Sequence, residues 1–187
     1  MNTPNSIFAA GYAYFLKDDE RAAVQTIADA LPSELDRISS QDYHITLLKL
    51  VLGGAARINK EYYKKHEDIY LRRLRGVAET SAPFEITFDT FGVSDDAIFL
   101  YTLDERVQQL RDRLHKDLPV LEPYTYTNNF AHVTLARLTT SDDKNSLKRQ
   151  LEATKPSAKI TLSRISILHC NNLMAEHSEI HGAELHG

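Results

Sequence analysis

Residues Ile7–Leu16 alternate with a period of two, which puts Tyr12, Tyr14 and Leu16 on one face of a predicted strand. From a cap at Asp18 or Asp19 the period lengthens: Val24, Ile27, Ala28 and Leu31 recur at helical spacing until Pro32. A second strand is predicted over Tyr43–Leu52 and stops at Gly53 and Gly54. A long amphipathic helix follows over Asn59–Glu79, its apolar stripe formed by Tyr63, His66, Tyr70, Leu74 and Val77. Strands Phe84–Phe91 and Ala97–Leu103 flank the turn-forming run Gly92–Asp96. Asp104 caps a helix that carries Val107, Leu110, Leu114 and Leu118. Beyond Pro119 and Pro123 comes a loop rich in Tyr, Thr and Asn, then a strand over Phe130–Leu138. A helix capped by Ser141 with Leu147 and Leu151, and a last strand over Lys159–His169, complete the pattern. From Asn171 onward the chain is polar and unpatterned, and a poorly packed tail is expected.

The order is strand, helix, strand in the first part and strand, strand, helix, strand, helix, strand in the second. That mixture predicts an α+β fold with one pattern used twice, in halves of about 7–80 and 81–170. A chain of 187 residues suits a single domain, with 171–187 as its tail.

The repeat sharpens at one place. His44-Ile45-Thr46-Leu47-Leu48-Lys49-Leu50 matches His132-Val133-Thr134-Leu135-Ala136-Arg137-Leu138: His, β-branched apolar, Thr, Leu, aliphatic, basic, Leu. With eight His among the residues, chance supplies about 0.07 copies of a His followed by Thr two later and Leu three later. Two copies therefore carry information that neither carries alone.

Residues i and i+2 of a strand project from the same face, so each copy presents an imidazole beside a hydroxyl. If the halves are related by a pseudo-twofold axis, both pairs meet in one cleft. Two groups that titrate near neutrality, flanked by neutral donors, suit phosphodiester cleavage without a metal. One His takes a proton from water while the other gives one to the leaving oxygen; Thr46 and Thr134 hold the non-bridging oxygens. The competing readings are two structural histidines or a metal site. For a metal, no carboxylate or third His keeps a fixed spacing to the pair.

The tetrapeptides His44–Leu47 and His132–Leu135 resemble the paired H-x-T-x signatures of the 2H phosphoesterase superfamily. The segment His132–Arg137 is most similar to the branch of RNA 2′,3′-cyclic phosphodiesterases, or 2′-5′ RNA ligase-like proteins. The resemblance implies a bilobal α+β fold with two antiparallel sheets around a central cleft. It implies hydrolysis of 2′,3′-cyclic phosphates on RNA ends or small nucleotides to 2′-phosphates, with no metal and no cofactor. It makes His44 the proton donor and His132 the acceptor, with Thr46, Thr134 and Arg137 on the phosphate. Strict alternation puts Arg137 on the face opposite His132, so its role requires a bulge or a strand end; Lys49 carries the same condition. Two departures bear on substrate choice: Ala131 stands where the family often has Pro, and the helix after the first motif is long and basic. The alternatives are a 2′-5′ oligonucleotide phosphodiesterase or ligase of the same superfamily and a non-catalytic RNA- or nucleotide-binding module.

Charge and composition narrow the partners. A formal charge of −4 argues against salt-driven binding to long duplexes. Residues 57–75 carry +4 and the remainder −8, which reads as a solvated helix face or as a local rim that attracts phosphate. The N-terminal stretch has no basic segment followed by a long apolar run, and a single cysteine, Cys170, excludes an internal disulfide. A cytoplasmic monomer with no membrane segment is the expectation. Tyr124, Tyr126 and Phe130, beside the second motif, are candidates for base stacking, as are Tyr12 and Tyr14. His177, His181 and His186 are expected on a solvent-exposed tail.

Overall fold

Strand β1 (Ala9–Phe15) lies at the centre of its sheet and is buried almost throughout. The computed structural model describes residues 8–52, 55–121, 130–140, 142–172 and 175–187. Helix α1 (Asp18–Asp29) follows, then the short strand β2 (Asp36–Arg37), a 3₁₀ turn (Ser40–Asp42) and β3 (His44–Val51). Helix α2 (Ala56–Glu79) leads to β4 (Phe84–Phe88), β5 (Thr90–Val93) and β6 (Ala97–Leu103). After α3 (Glu105–His115) come β7 (Phe130–Arg137), α4 (Lys144–Glu152), β8 (Ala158–Leu162), β9 (Arg164–Asn172) and β10 (Ala175–Glu184).

The strands form two four-stranded sheets, ordered β10-β9-β1-β3 and β2-β7-β6-β5, and a small β4-β8 pair. Among the described residues every strand pairing is antiparallel. The predicted duplication is visible: β1–α1–β3 and β6–α3–β7 are the same unit, a strand, a helix and an antiparallel partner. In one unit His44 stands opposite Phe15; in the other His132 stands opposite Tyr101. The second strands of the two units, β3 and β7, approach each other where the sheets meet, and α3 packs against both.

The apolar stripes account for the layers. Tyr63, Tyr70, Leu74 and Val77 of α2 are buried against β1, β3, β9 and β10, as the spacing predicts. Tyr12 and Tyr14 belong to this core rather than to a ligand surface: their hydroxyls donate to Tyr70 O (2.8 Å) and Glu20 Oε2 (2.7 Å). Gly11 is required by packing, because a Cβ there would stand 2.7 Å from the carbonyl oxygen of Leu48 on the neighbouring strand.

Several boundaries differ from the sequence reading. Helix α1 is capped not by Asp18 or Asp19 but at Lys17, whose amide donates to Glu20 Oε2 at 2.9 Å. Helix α4 is capped by Asp143, whose carboxylate accepts from the amide of Ser146 (3.0 Å); Ser141 lies outside the described residues. The strand expected over Phe84–Phe91 is broken at Asp89, and the one over Lys159–His169 at Ser163, so that each run serves two sheets. The C-terminal segment is not a loose tail. It forms β10 on the edge of the first sheet, and the amides of Leu185, His186 and Gly187 donate to carbonyls of Ser163, Ala78 and Ser81. A register shift between Glu179 and His181 erases the period-two signal, and an exposed edge favours polar residues.

Candidate active site

Both motifs face one cavity of about 330 Å³ between the sheets. His44, Thr46 and Lys49 line it from β3; Phe130, His132, Thr134 and Arg137 line it from β7. Alternation explains the His and the Thr of each copy. It does not explain the basic residue, which is an odd number of positions away.

The register resolves this. Tyr12 pairs with Leu48 and Ala13 with Thr46, which leaves Leu47 as an extra residue in β3. Ile98 pairs with Ala136 and Phe99 with Thr134, which leaves Leu135 as an extra residue in β7. Each copy therefore bulges directly after its Thr, and the two apolar residues there (Leu47 and Leu48, Leu135 and Ala136) are both buried. The bulge reverses the parity, so Lys49 and Arg137 return to the cleft beside His and Thr. Nε of Arg137 is buried there with no protein partner among the described residues.

Each imidazole is held by its surroundings. His44 Nδ1 lies 2.7 Å from the main-chain oxygen of Asp42. A carbonyl only accepts, so the proton is on Nδ1 and the lone pair of the neutral ring is on Nε2. The ring of His44 is flanked by Phe15 at 5.8 Å and His177 at 4.4 Å. His132 is flanked by Phe99 at 5.5 Å and Phe130 at 5.2 Å, and its Nδ1 is buried without a partner among the described residues. Phe99 and His177 join the site although sequence reasoning did not nominate them. Of the other stacking candidates, Phe130 lines the cavity, and Tyr124 and Tyr126 lie outside the described residues. None of the seven cations of 57–75 lines it; Arg73 instead donates to the carbonyls of Arg113 and Lys116. Among the described residues, no group of three His, Cys, Asp or Glu side chains is placed to hold a metal ion.

Arg111, also not nominated, is 1% exposed. From α3 it donates through Nε to Leu47 O (2.9 Å), through Nη2 to Thr46 O (3.1 Å) and through Nη1 to Phe130 O (2.6 Å). The bulge residue Leu47 thus has its carbonyl satisfied, and one guanidinium ties β3 to β7. The signal was present in the sequence: Arg111 falls four after Val107 and three before Leu114, on the predicted buried stripe.

Burial and neighbouring cations keep the imidazoles neutral. His44 is pushed down to about 4, first by loss of hydration and then by His177, with the Asp42 carbonyl working the other way. His132 is also pushed down to about 4, first by loss of hydration and then by Arg111, Lys49 and Arg137. His169, packed against Phe8 and Tyr63 outside the site, falls to about 4 mainly through burial. All three lie below the ordinary value of 6.5, so between these values the unfolded chain binds protons that the folded chain refuses. Folding stability is therefore expected to be intact above pH 6.5 and to drop as pH falls from 6.5 toward 4. Denaturant melts across that range check this, and a His169→Phe variant should show a shallower decline; an unchanged midpoint from pH 7 to 5 would contradict it.

Comparisons with known proteins agree with this architecture. The family model of the 2′-5′ RNA ligase superfamily matches residues 17–172. TT0787 of Thermus thermophilus superposes with a TM-score of 0.67 at 16% identity, over 95% of this chain and 97% of that one. E. coli LigT superposes with a TM-score of 0.61 in its apo form (15% identity, 95% and 96% coverage) and 0.63 in its complex with 3′-AMP (15%, 97% and 99%). A search of curated protein sequences gave no match. No helix among the described residues is long and apolar enough to cross a membrane. The family match spans most of the chain and both halves of the cleft: this protein belongs to the 2′-5′ RNA ligase superfamily of 2H phosphoesterases.

Proposed function

We propose that this protein is a phosphodiesterase that hydrolyses 2′,3′-cyclic phosphate ends of RNA or small nucleotides to 2′-phosphates. The observation that carries the reading is the matched pair of bulged strands, which delivers two imidazoles, two hydroxyls and two cations to one cavity. The phosphate sits between Thr46 and Thr134, with Arg137 and Lys49 against its charge. Nε of Arg137, lacking a protein partner among the described residues, is satisfied by a phosphate oxygen. The aromatic rings of Phe99 and Phe130 form a wall for the nucleoside. E. coli LigT, a protein of the same fold, has been crystallised with 3′-AMP, a ligand of the size this cavity would take.

The surroundings distinguish the two histidines. His132 has Arg111, Lys49 and Arg137 near it and no acceptor at Nδ1 among the described residues, so it stays neutral and serves as base. His44 has the Asp42 carbonyl on Nδ1, which stabilises the imidazolium and suits it to serve as acid. A bound phosphate anion offsets the cations and raises both imidazoles toward working pH. His132 then removes a proton from water as the water oxygen bonds to phosphorus. The bond from phosphorus to O3′ breaks, and O3′ leaves with the proton from His44 Nε2. The product is a 2′-phosphate with a free 3′-hydroxyl. The charge that gathers on the non-bridging oxygens meets the threonine hydroxyls and the arginine.

Phosphorus NMR of the product tests this reading: one resonance from a 2′-phosphate is expected, and a 3′-phosphate would reverse the leaving group. Arg137→Ala should lower kcat/KM by about 10²–10³-fold, the scale for loss of one transition-state donor. An Arg137→Ala enzyme with wild-type kcat/KM would remove Arg137 from the site.

A further inference from the structure

His177 was expected on an exposed tail, and β10 instead brings it to the face of His44. The two ring centroids are 4.4 Å apart with 50° between the planes, and Phe15 stands 5.8 Å away from the same ring. The amide of His177 donates to Asp42 Oδ1 at 3.4 Å. The main-chain oxygen of the same Asp42 accepts from His44 Nδ1 at 2.7 Å. One residue of the 3₁₀ turn thus connects the C-terminal strand to the first-motif histidine. His177 also lines the cleft that holds Thr46, His132 and Arg137.

We propose that His177 is a positioning residue for His44: its ring and its amide hold that imidazole with Nε2 toward the bound phosphate, so the C-terminal strand completes the active site. An imidazole on a strand turns about two torsions, and a single hydrogen bond to a carbonyl leaves the ring free to swing about that bond. Two flanking rings block the swing. The carbonyl then selects the tautomer, and the two flanking rings select the direction of Nε2. That His44 acts as a proton donor rests on the function proposed above; that it is held by His177 does not.

The charged and titratable groups around His44 are Asp42 on the turn, Lys49 on β3, His132 and Arg137 on β7, His177 on β10 and Asp96, which lines the same cleft. Removing the His177 ring admits water to His44 and removes one repelling neighbour, and both changes favour the imidazolium. The midpoint of His44 therefore moves upward toward 6.5 when the ring is lost.

The test is histidine NMR on isotope-labelled protein without substrate, comparing wild type, His177→Ala and His177→Phe. Wild type should show His44 as the single Nδ1–H tautomer with a depressed midpoint. In His177→Ala the midpoint should rise while the Asp42 carbonyl keeps the Nδ1–H tautomer; in His177→Phe, which keeps a ring on His44, the midpoint should stay near wild type. With a cyclic-phosphate substrate, His177→Ala should lower kcat by up to about 10²-fold with KM little altered, the scale of a misplaced catalytic group, and His177→Phe should restore most of it. His44 unchanged in His177→Ala would overturn the proposal. His177→Phe as defective as His177→Ala would also overturn it, assigning His177 a polar contact instead. If wild type turned over no cyclic phosphate, the assigned reaction would fail while the NMR comparison still decided the positioning.

Discussion

His44→Ala and His132→Ala are each expected to lower kcat for a 2′,3′-cyclic phosphate by about 10²–10⁴-fold, with KM changed far less. On the proposed mechanism, either substitution removes one end of a proton relay whose ends act in the same step. The double variant should therefore be little slower than the slower single one, because the second loss removes a group already without a partner reaction. The pH dependence should differ as well. If the proposed mechanism holds, wild type requires one neutral and one protonated imidazole and should give a bell-shaped profile of kcat, whereas each single variant should keep only one limb. Strict additivity of the two losses would indicate that the histidines act in separate steps.

Arg111 is the position where stability should suffer most. Its guanidinium serves the carbonyls of Thr46, Leu47 and Phe130 from a buried site on α3. Arg111→Met leaves these three acceptors without that partner, at about 1–3 kcal/mol for each one that remains buried, so a loss of at least about 3 kcal/mol is expected from denaturant melts. The same change frees β3 from β7, so activity should fall even in the molecules that remain folded. Arg111→Lys keeps the charge but not the planar fork, and should recover only part of either loss. An Arg111→Met protein with wild-type midpoint and activity would show that the motif strands hold their spacing without it.

Much of this architecture was legible in the sequence, and the misses have physical causes. Tyr63, Tyr70, Leu74 and Val77 announced α2 because apolar residues at helical spacing over so long a run fit a helix with one buried face and fit a strand poorly. His44, Thr46, His132 and Thr134, which line one cavity, were singled out through the duplication, which converts a weak tripeptide into a paired signal. Arg137 required more: its parity was wrong for the cleft until the bulge at Leu135 was seen, and a bulge is a property of pairing between strands. The two adjacent apolar residues in each motif are the trace that the bulge leaves in the sequence. Ser163 separates β8 from β9 without glycine or proline, so one continuous run conceals a change of sheet. His177 was hidden because β10 is a polar edge strand with a shifted register, and the contact that gives it meaning lies 133 positions earlier, at His44.

The proposed function is cleavage of a cyclic phosphodiester by this cleft through its paired histidines. Its most direct test is a time course with a short RNA ending in a 2′,3′-cyclic phosphate, in excess EDTA, for wild type and for folded His44→Ala and His132→Ala. Ring opening by wild type is expected at a rate unaffected by the chelator, with at least about a hundredfold loss in each variant. An intact cyclic phosphate after prolonged incubation with wild type, or equal rates in all three proteins, would contradict it.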